Sequence, residues 1–248
     1  MEDKSLPFWG HVIELRRRLL LSAAALLVCS VAVFSFIEPA AKYIMAQAGN
    51  LSFVYLSPPE LFMGYVRLAL IAGAVLSSPL ILFQLWLFVR PGLEKHERRN
   101  LFWSLVFGLI FFACGGAFSF FVIIPFCLRF FLQYQNEAVK ALFSFNEYLS
   151  FVLTMVFSFG LAFELPVVSS LLASLGIITG TGMARVRGIS VLLIFIVAAI
   201  ITPPDVVSQV LLAVPMVILF ELAVILAKGQ EKRRAKLALE NETELKTG

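Results

Sequence analysis

The chain has 248 residues, 60% of them hydrophobic and only 15% charged, whereas a soluble domain carries about a quarter charged residues. Two histidines, three cysteines and a net charge of +4 leave little for metal, disulfide or nucleic-acid chemistry. No GxxxxGK[ST], HExxH or GxSxG pattern supplies an enzyme site, so the composition points to a polytopic membrane protein that is not an enzyme.

Residues 1–18 form a polar lead-in, expected to be helical from about Leu6-Pro7 with Ser5 as cap. Arg16-Arg17-Arg18 before Leu19-Leu20-Leu21 imitates a secretory signal. The apolar stretch runs on to Ile37, however, and no hydrophilic mature domain follows. It is therefore read as a retained first span, 19–37. The connection 38–64 holds a moderately apolar piece, Pro39 to Ala48, and then Ser57-Pro58-Pro59-Glu60, whose prolines pre-set a helical first turn. Span two is 65–89, with a kink expected at Pro79. A charged loop, 90–99, leads to span three, 101–124. The charge-free run 100–128 exceeds one crossing, so Pro125 is expected to mark the exit into a second connection, 125–147.

Span four, 148–174, is expected to be interrupted at Glu164-Leu165-Pro166. A Gly- and Thr-rich loop, 176–187, precedes spans five, 188–202, and six, 206–226, which are joined by Thr202-Pro203-Pro204-Asp205. Span five is short. Fifteen residues at about 1.5 Å each cover about 23 Å, against a hydrocarbon core of about 30 Å. The bilayer thins there, or another protein shelters the hairpin. The tail, 227–248, alternates basic and acidic residues and reads as solvated or weakly helical. The fold class is thus all-α, with six transmembrane helices in one domain, 1–226, followed by the tail.

Orientation follows from Lys and Arg. With the N-terminus inside, 16 of the 20 basic residues fall on the inner side, leaving Lys42, Arg67, Arg129 and Lys140. Both termini are therefore inside. The positive charge reports this asymmetry and a tail able to touch anionic lipid, not nucleic acid. Cys29, Cys114 and Cys127 lie in or beside apolar runs without CxxC spacing and read as small packing residues.

Two carboxylates stand among cations at the inner surface. Glu14 precedes Arg16-Arg17-Arg18, and Glu97 follows Lys95-His96. A pure anchor needs only Lys and Arg, so the acids suggest a receiver of a positively charged partner. Glu14 also has helical partners in Arg17 and Arg18, a pairing worth only about 0.2–0.5 kcal/mol; Glu97 has none at i+3 or i+4. His11 and His96 lie near these acids, but H-x-x-E alone is too weak a pattern to define a metal site. Glu164 costs about 2.5–3.5 kcal/mol in hydrocarbon and reads as an intramembrane polar site beside Pro166. Asp205 reads first as a cap for span six.

These residues also fall into a known pattern. His11-x-x-Glu14-Leu15-Arg16 comes first, followed by Ser77-Ser78-Pro79 with Gln84-Leu85-Trp86-x-Phe88. After them come Pro91-Gly92-Leu93-x-Lys95-His96-Glu97-Arg98-Arg99, Ser158-Phe159-Gly160-x-x-Phe163-Glu164-x-Pro166, and Thr202-Pro203-Pro204-Asp205-x-x-Ser208-Gln209. In this order, over about 10–226, the chain resembles the TatC family, the multispanning core subunits of the twin-arginine (Tat) protein translocase.

The resemblance implies a receptor that binds twin-arginine signal peptides of folded cargo and supports their export, driven by the proton-motive force, across a cytoplasmic-type inner membrane. It implies a concave, six-helix bowl, an oligomeric complex with TatA- and possibly TatB-type single-span partners, and no cofactor. Carried over by position, signal-peptide binding falls to Glu14, Arg16, Phe88 and Glu97, the membrane glutamate is Glu164, and partner-helix docking falls to Thr202, Asp205, Ser208 and Gln209. Two other readings stay open: a proton-coupled solute carrier working through Glu164, and a scaffold without ligand.

Overall fold

The computed structural model describes residues 8–49, 52–55, 57–92, 95–133, 142–201 and 206–247, and of helical residues 8, 9, 11, 95–97, 207, 208 and 237–247 the backbone alone. It divides into two compact units, 1–105 with 134–153, and 106–133 with 154–248.

In the first unit, α1 (Phe8–Phe34) carries the polar lead-in and the first apolar run as one helix. A turn at Ser35-Phe36 leads to α2 (Ile37–Ala46), formed by the apolar piece of the first connection. The two-residue strand β1 (Phe53–Val54) follows. Then α3 (Pro58–Val89) begins where its two prolines set the first turn, after Ser57 in extended conformation. Pro79 lies inside α3 without ending it. The proline cannot donate to the Val75 carbonyl, and Ser78 Oγ does so instead at 2.7 Å.

Helices α1 and α3 run antiparallel and cross closely. At Gly73 an added Cβ would collide with Ser30 Oγ and lie 2.6 Å from Ser30 Cα, so the missing side chain is what lets the two backbones approach. At the other end of α3 the core is Ile37, Ala41, Leu68, Ala69, Phe145, Leu149 and Leu153. The last three belong to α6 (Phe145–Ser174), preceded by β2 (Phe143–Ser144). β2 pairs in parallel with β1, Phe53 to Phe143 and Val54 to Ser144. Tyr148 Oη donates to the Ile44 carbonyl at 3.1 Å, and Ser144 Oγ donates to Glu60. This pairing was not foreseen from the sequence. It ties the segment before α3 to the segment that opens α6.

Helix α4 (Lys95–Phe118) begins in the first unit and from residue 106 belongs to the second, where it passes through a π-helical stretch, Ser119–Ile123, into α5 (Ile124–Leu132). The helix therefore does not stop at Pro125. The wider π turn, with Ile124 N–H reaching back to the Ser119 carbonyl, absorbs the proline that would break a regular helix. Likewise α6 runs unbroken through Pro166. Antiparallel to it, α4 places Gly108 by Glu164, Phe112 by Gly160 and Gly116 by Val156. A short helix, α7 (Gly180–Arg185), occupies the loop read as Gly- and Thr-rich; Thr179 Oγ1 caps it by accepting from Gly182 N–H at 3.0 Å.

Helix α8 (Arg187–Ile201) has the 15 residues expected of a short fifth span. Helix α9 (Val206–Thr247) runs for 42 residues through Pro215 and through the tail, so the tail is helical and not weakly so. Among the described residues, five helices are long and apolar enough to cross a membrane, and α8 is a further, shorter apolar helix. Large apolar side chains such as Val28 and Ile200 stay 69% and 78% exposed, which suits hydrocarbon as the solvent.

Candidate functional site

The sequence placed two acids near the inner surface, and the structure fixes one of them fully. Glu14 lies on the face of α1 that turns toward α3. Its Oε1 accepts from Arg18 Nη2, the i+4 pair, and Arg18 Nη1 donates to the Gln84 carbonyl of α3 at 3.4 Å. The pair is largely shielded, with side-chain exposures of 17% for Arg18 and 25% for Glu14. Among the described residues, Glu14 Oε2 and Arg18 Nε are buried without a hydrogen-bond partner, so one acceptor of the carboxylate stays unfilled by them. One turn further along each helix brings Glu14 and half-buried Phe88 to the same end of the α1–α3 pair. Trp86 sits there between Phe83 and Phe102, with the Arg90 guanidinium 5.0 Å from its ring centroid.

Arg16 stands apart from this arrangement. Two residues are about 200° around a helix, so it points away from Glu14 and lines a shallow surface groove with Ile13, Arg17, Leu20 and Leu21. Glu97 belongs to the first turn of α4, but its side chain lies outside the described residues. The structure thus gathers Glu14 and Phe88, turns Arg16 to another face, and leaves the distance from Glu14 to Glu97 open. Arg18 was legible only as a helical partner; its bond to α3 needed the fold.

Glu164 is half-buried, and its carboxylate lies over Gly108 of α4. A Cβ at Gly108 would come within 2.8 Å of Oε2 and 3.2 Å of Oε1. Gly108 is the residue that sequence reading missed. Nothing marks it in its own apolar run until α4 is laid antiparallel to α6. Glu164→Ala should lower thermal stability in detergent more than Glu164→Gln, because the amide keeps the volume and the polar group that lie over Gly108 at this interhelical face. A thermal challenge of each variant checks this, and equal loss in both would remove the argument.

The α8–α9 hairpin holds Gln209, whose Nε2 donates to the Phe195 carbonyl at 3.0 Å. At its other end Arg187 and Glu221 form a double contact, Nε to Oε1 at 2.5 Å and Nη2 to Oε2 at 2.8 Å. Thr202 and Asp205 lie outside the described residues, and Ser208 is described by its backbone alone. Among the described residues, Cys29, Cys114 and Cys127 form no disulfide.

Comparison with known proteins agrees with this layout. The family model for the Sec-independent protein translocase protein TatC matches residues 10–215. The chain is 39% identical over 219 residues to the TatC of Helicobacter pylori, covering 88% of this chain and 86% of that one. It is 33% identical over 239 residues to the TatCy of Bacillus subtilis, covering 95% and 94%. A crystal structure described as the twin-arginine translocase receptor TatC superposes with a TM-score of 0.79 at 34% identity, covering 89% of this chain and 99% of the other.

Proposed function

This chain belongs to the TatC family of Sec-independent protein translocase proteins, and we propose that it is the receptor subunit that binds twin-arginine signal peptides. It is the multi-pass core subunit of a twin-arginine translocase and not an enzyme. In our reading it crosses a cytoplasmic-type inner membrane six times, α8 being the short crossing, with both termini inside. The Lys and Arg distribution supports that orientation.

The observation that carries the binding role is Glu14 Oε2, buried and without a partner among the described residues, at the end of the helix pair that also presents Phe88. A guanidinium fork fits such a carboxylate in a way that an ammonium does not. Glu97, in the first turn of α4, supplies the second carboxylate, and Phe88 packs against the apolar segment after the two arginines. Arg16 meets the part of the peptide that passes around α1. The hairpin carrying Thr202, Asp205, Ser208 and Gln209 docks the single helices of TatA- and TatB-type partners, since polar groups at membrane depth need hydrogen-bond partners. Six helices enclose too little lumen for a folded cargo, so an oligomeric complex with these partners forms the conduit.

The test is direct. The purified protein in lipid nanodiscs should bind an Arg-Arg signal peptide at least about tenfold more tightly than its Lys-Lys counterpart. Equal affinity for the two would refute the assignment.

A further inference from the structure

We propose that the extension of α9 beyond the membrane is a clasp that positions α8, and that Glu231 and Arg234 are its positioning residues. This rests on reading the α8–α9 hairpin as the docking surface for partner helices.

A crossing takes about 20 residues, but α9 continues to Thr247. One face of the continuation, Lys228, Glu231 and Arg234, meets the loop between α6 and α8 at three points. Lys228 covers Gly180, where a Cβ would lie 2.5 Å from its Cγ and 2.7 Å from its Cα. Glu231 accepts from Thr181 twice, from N–H at 3.2 Å and from Oγ1 at 3.0 Å. The Arg234 guanidinium rests on Gly176, where a Cβ would come within 2.6 Å of Nη2.

Gly176 ends α6 in the left-handed conformation, φ +74. The bonds Gly176 N–H to the Ala173 carbonyl at 3.1 Å and Ile177 N–H to the Leu172 carbonyl at 3.0 Å close that helix. The loop thus offers hydrogen or a small side chain wherever the tail presses on it. Ala227, at the base of the extension, is fully buried. A solvated tail needs none of this.

Only Val186 separates α7 from α8, so the position of α7 sets the start of α8. Helix α8 packs on α9 with Ile194 and Ala198 buried, and two polar contacts fix it there. Gln209 bonds its backbone at Phe195, and Glu221 pairs with Arg187. The clasp adds a second anchor at the inner end, beside the Arg187–Glu221 pair, and loosening it lets α8 drift from the geometry that receives a partner.

The experiment uses the full-length protein in membranes with a TatA-type partner, with a photoreactive amino acid replacing the exposed Val210 beside Gln209. Cys29, Cys114 and Cys127 are changed to serine or alanine. Glu231→Ala and Gly180→Leu should each lower cross-linking to the partner about fivefold, as the docking-competent fraction falls, while Arg-Arg peptide binding stays at the wild-type level. Thr181→Cys combined with Glu231→Cys should form a disulfide on oxidation. The oxidised protein should cross-link at the wild-type level, and reduction should lower it as Glu231→Ala does. No partner adduct even in the otherwise native protein would count against the docking reading itself. Adducts present there and unchanged by both loosening variants and by reduction of the disulfide would overturn the clasp, as would failure of the two cysteines to pair.

Discussion

Glu14→Gln and Glu97→Gln are each expected to weaken binding of an Arg-Arg signal peptide roughly 10- to 100-fold, from charge-assisted hydrogen bonds worth about 1.5–3 kcal/mol each. The Arg18 guanidinium already holds Glu14 Oε1, so the peptide competes with an internal partner. For Glu14 this favours the lower end of the range. Its Oε2 has no such competitor among the described residues and is the atom expected to hold the arginine. Binding of a Lys-Lys peptide should change less, since an ammonium gains little from a second, parallel acceptor. Titration of labelled peptide against both single variants and the double variant measures these effects. A double-mutant cycle between peptide arginines and the two glutamates should show coupling of about 0.5–3 kcal/mol. Wild-type affinity in the double variant would dispose of the assignment.

The largest structural effect is expected at Gly73. A side chain there meets the backbone of Ser30, which cannot rotate aside as a side-chain tip does. Overpacking costs about 1–3 kcal/mol, and more when a backbone must move. Gly73→Leu should therefore separate α1 from α3, with early aggregation in a detergent thermal challenge and complete loss of peptide binding, because Glu14 and Phe88 reach the same end only through this helix pair. Ser30→Ala makes the control. Ser30 Oγ is buried without a partner, so removing it should leave thermal stability unchanged or slightly raised. A Gly73→Leu protein with wild-type stability would show that the crossing is looser than the distances imply.

How much of this was readable beforehand depends on where the deciding interaction lies. Local signals served well. Pro58-Pro59 opened α3, the charge-free run after Arg187 gave α8 its length, and Glu14 found its partner four residues on. Signals that depend on a distant segment did not carry. The helix continues past Pro125 because a π turn upstream absorbs the proline, and nothing in the residue itself marks that. The alternating charges after Ala227 resemble a solvated tail until Gly176, Gly180 and Thr181 are placed beneath them. Gly108 acquires meaning only opposite Glu164. For the site, residue type and spacing singled out Glu14 and Glu97, the resemblance alone added Phe88 and Arg16, and neither showed that Arg16 lies on another face of α1 from Glu14. That last point was available from the 100° advance per residue alone.

The parallel pairing of Phe53-Val54 with Phe143-Ser144 bears on how the protein is made. The core that holds α2 and the start of α3 includes Phe145, Leu149 and Leu153, so the first unit cannot close when α3 is finished. The 64 residues from Val89 to Leu153 take about 3–13 s to synthesise at roughly 5–20 residues per second. In that interval two membrane helices wait with an unfinished face, while a segment of the other unit is threaded between the two parts of the first. Lipid or an insertion factor must cover that face until residue 153 arrives, and a ribosome that stalls between α3 and α6 leaves behind a pair of helices with no native neighbour to meet.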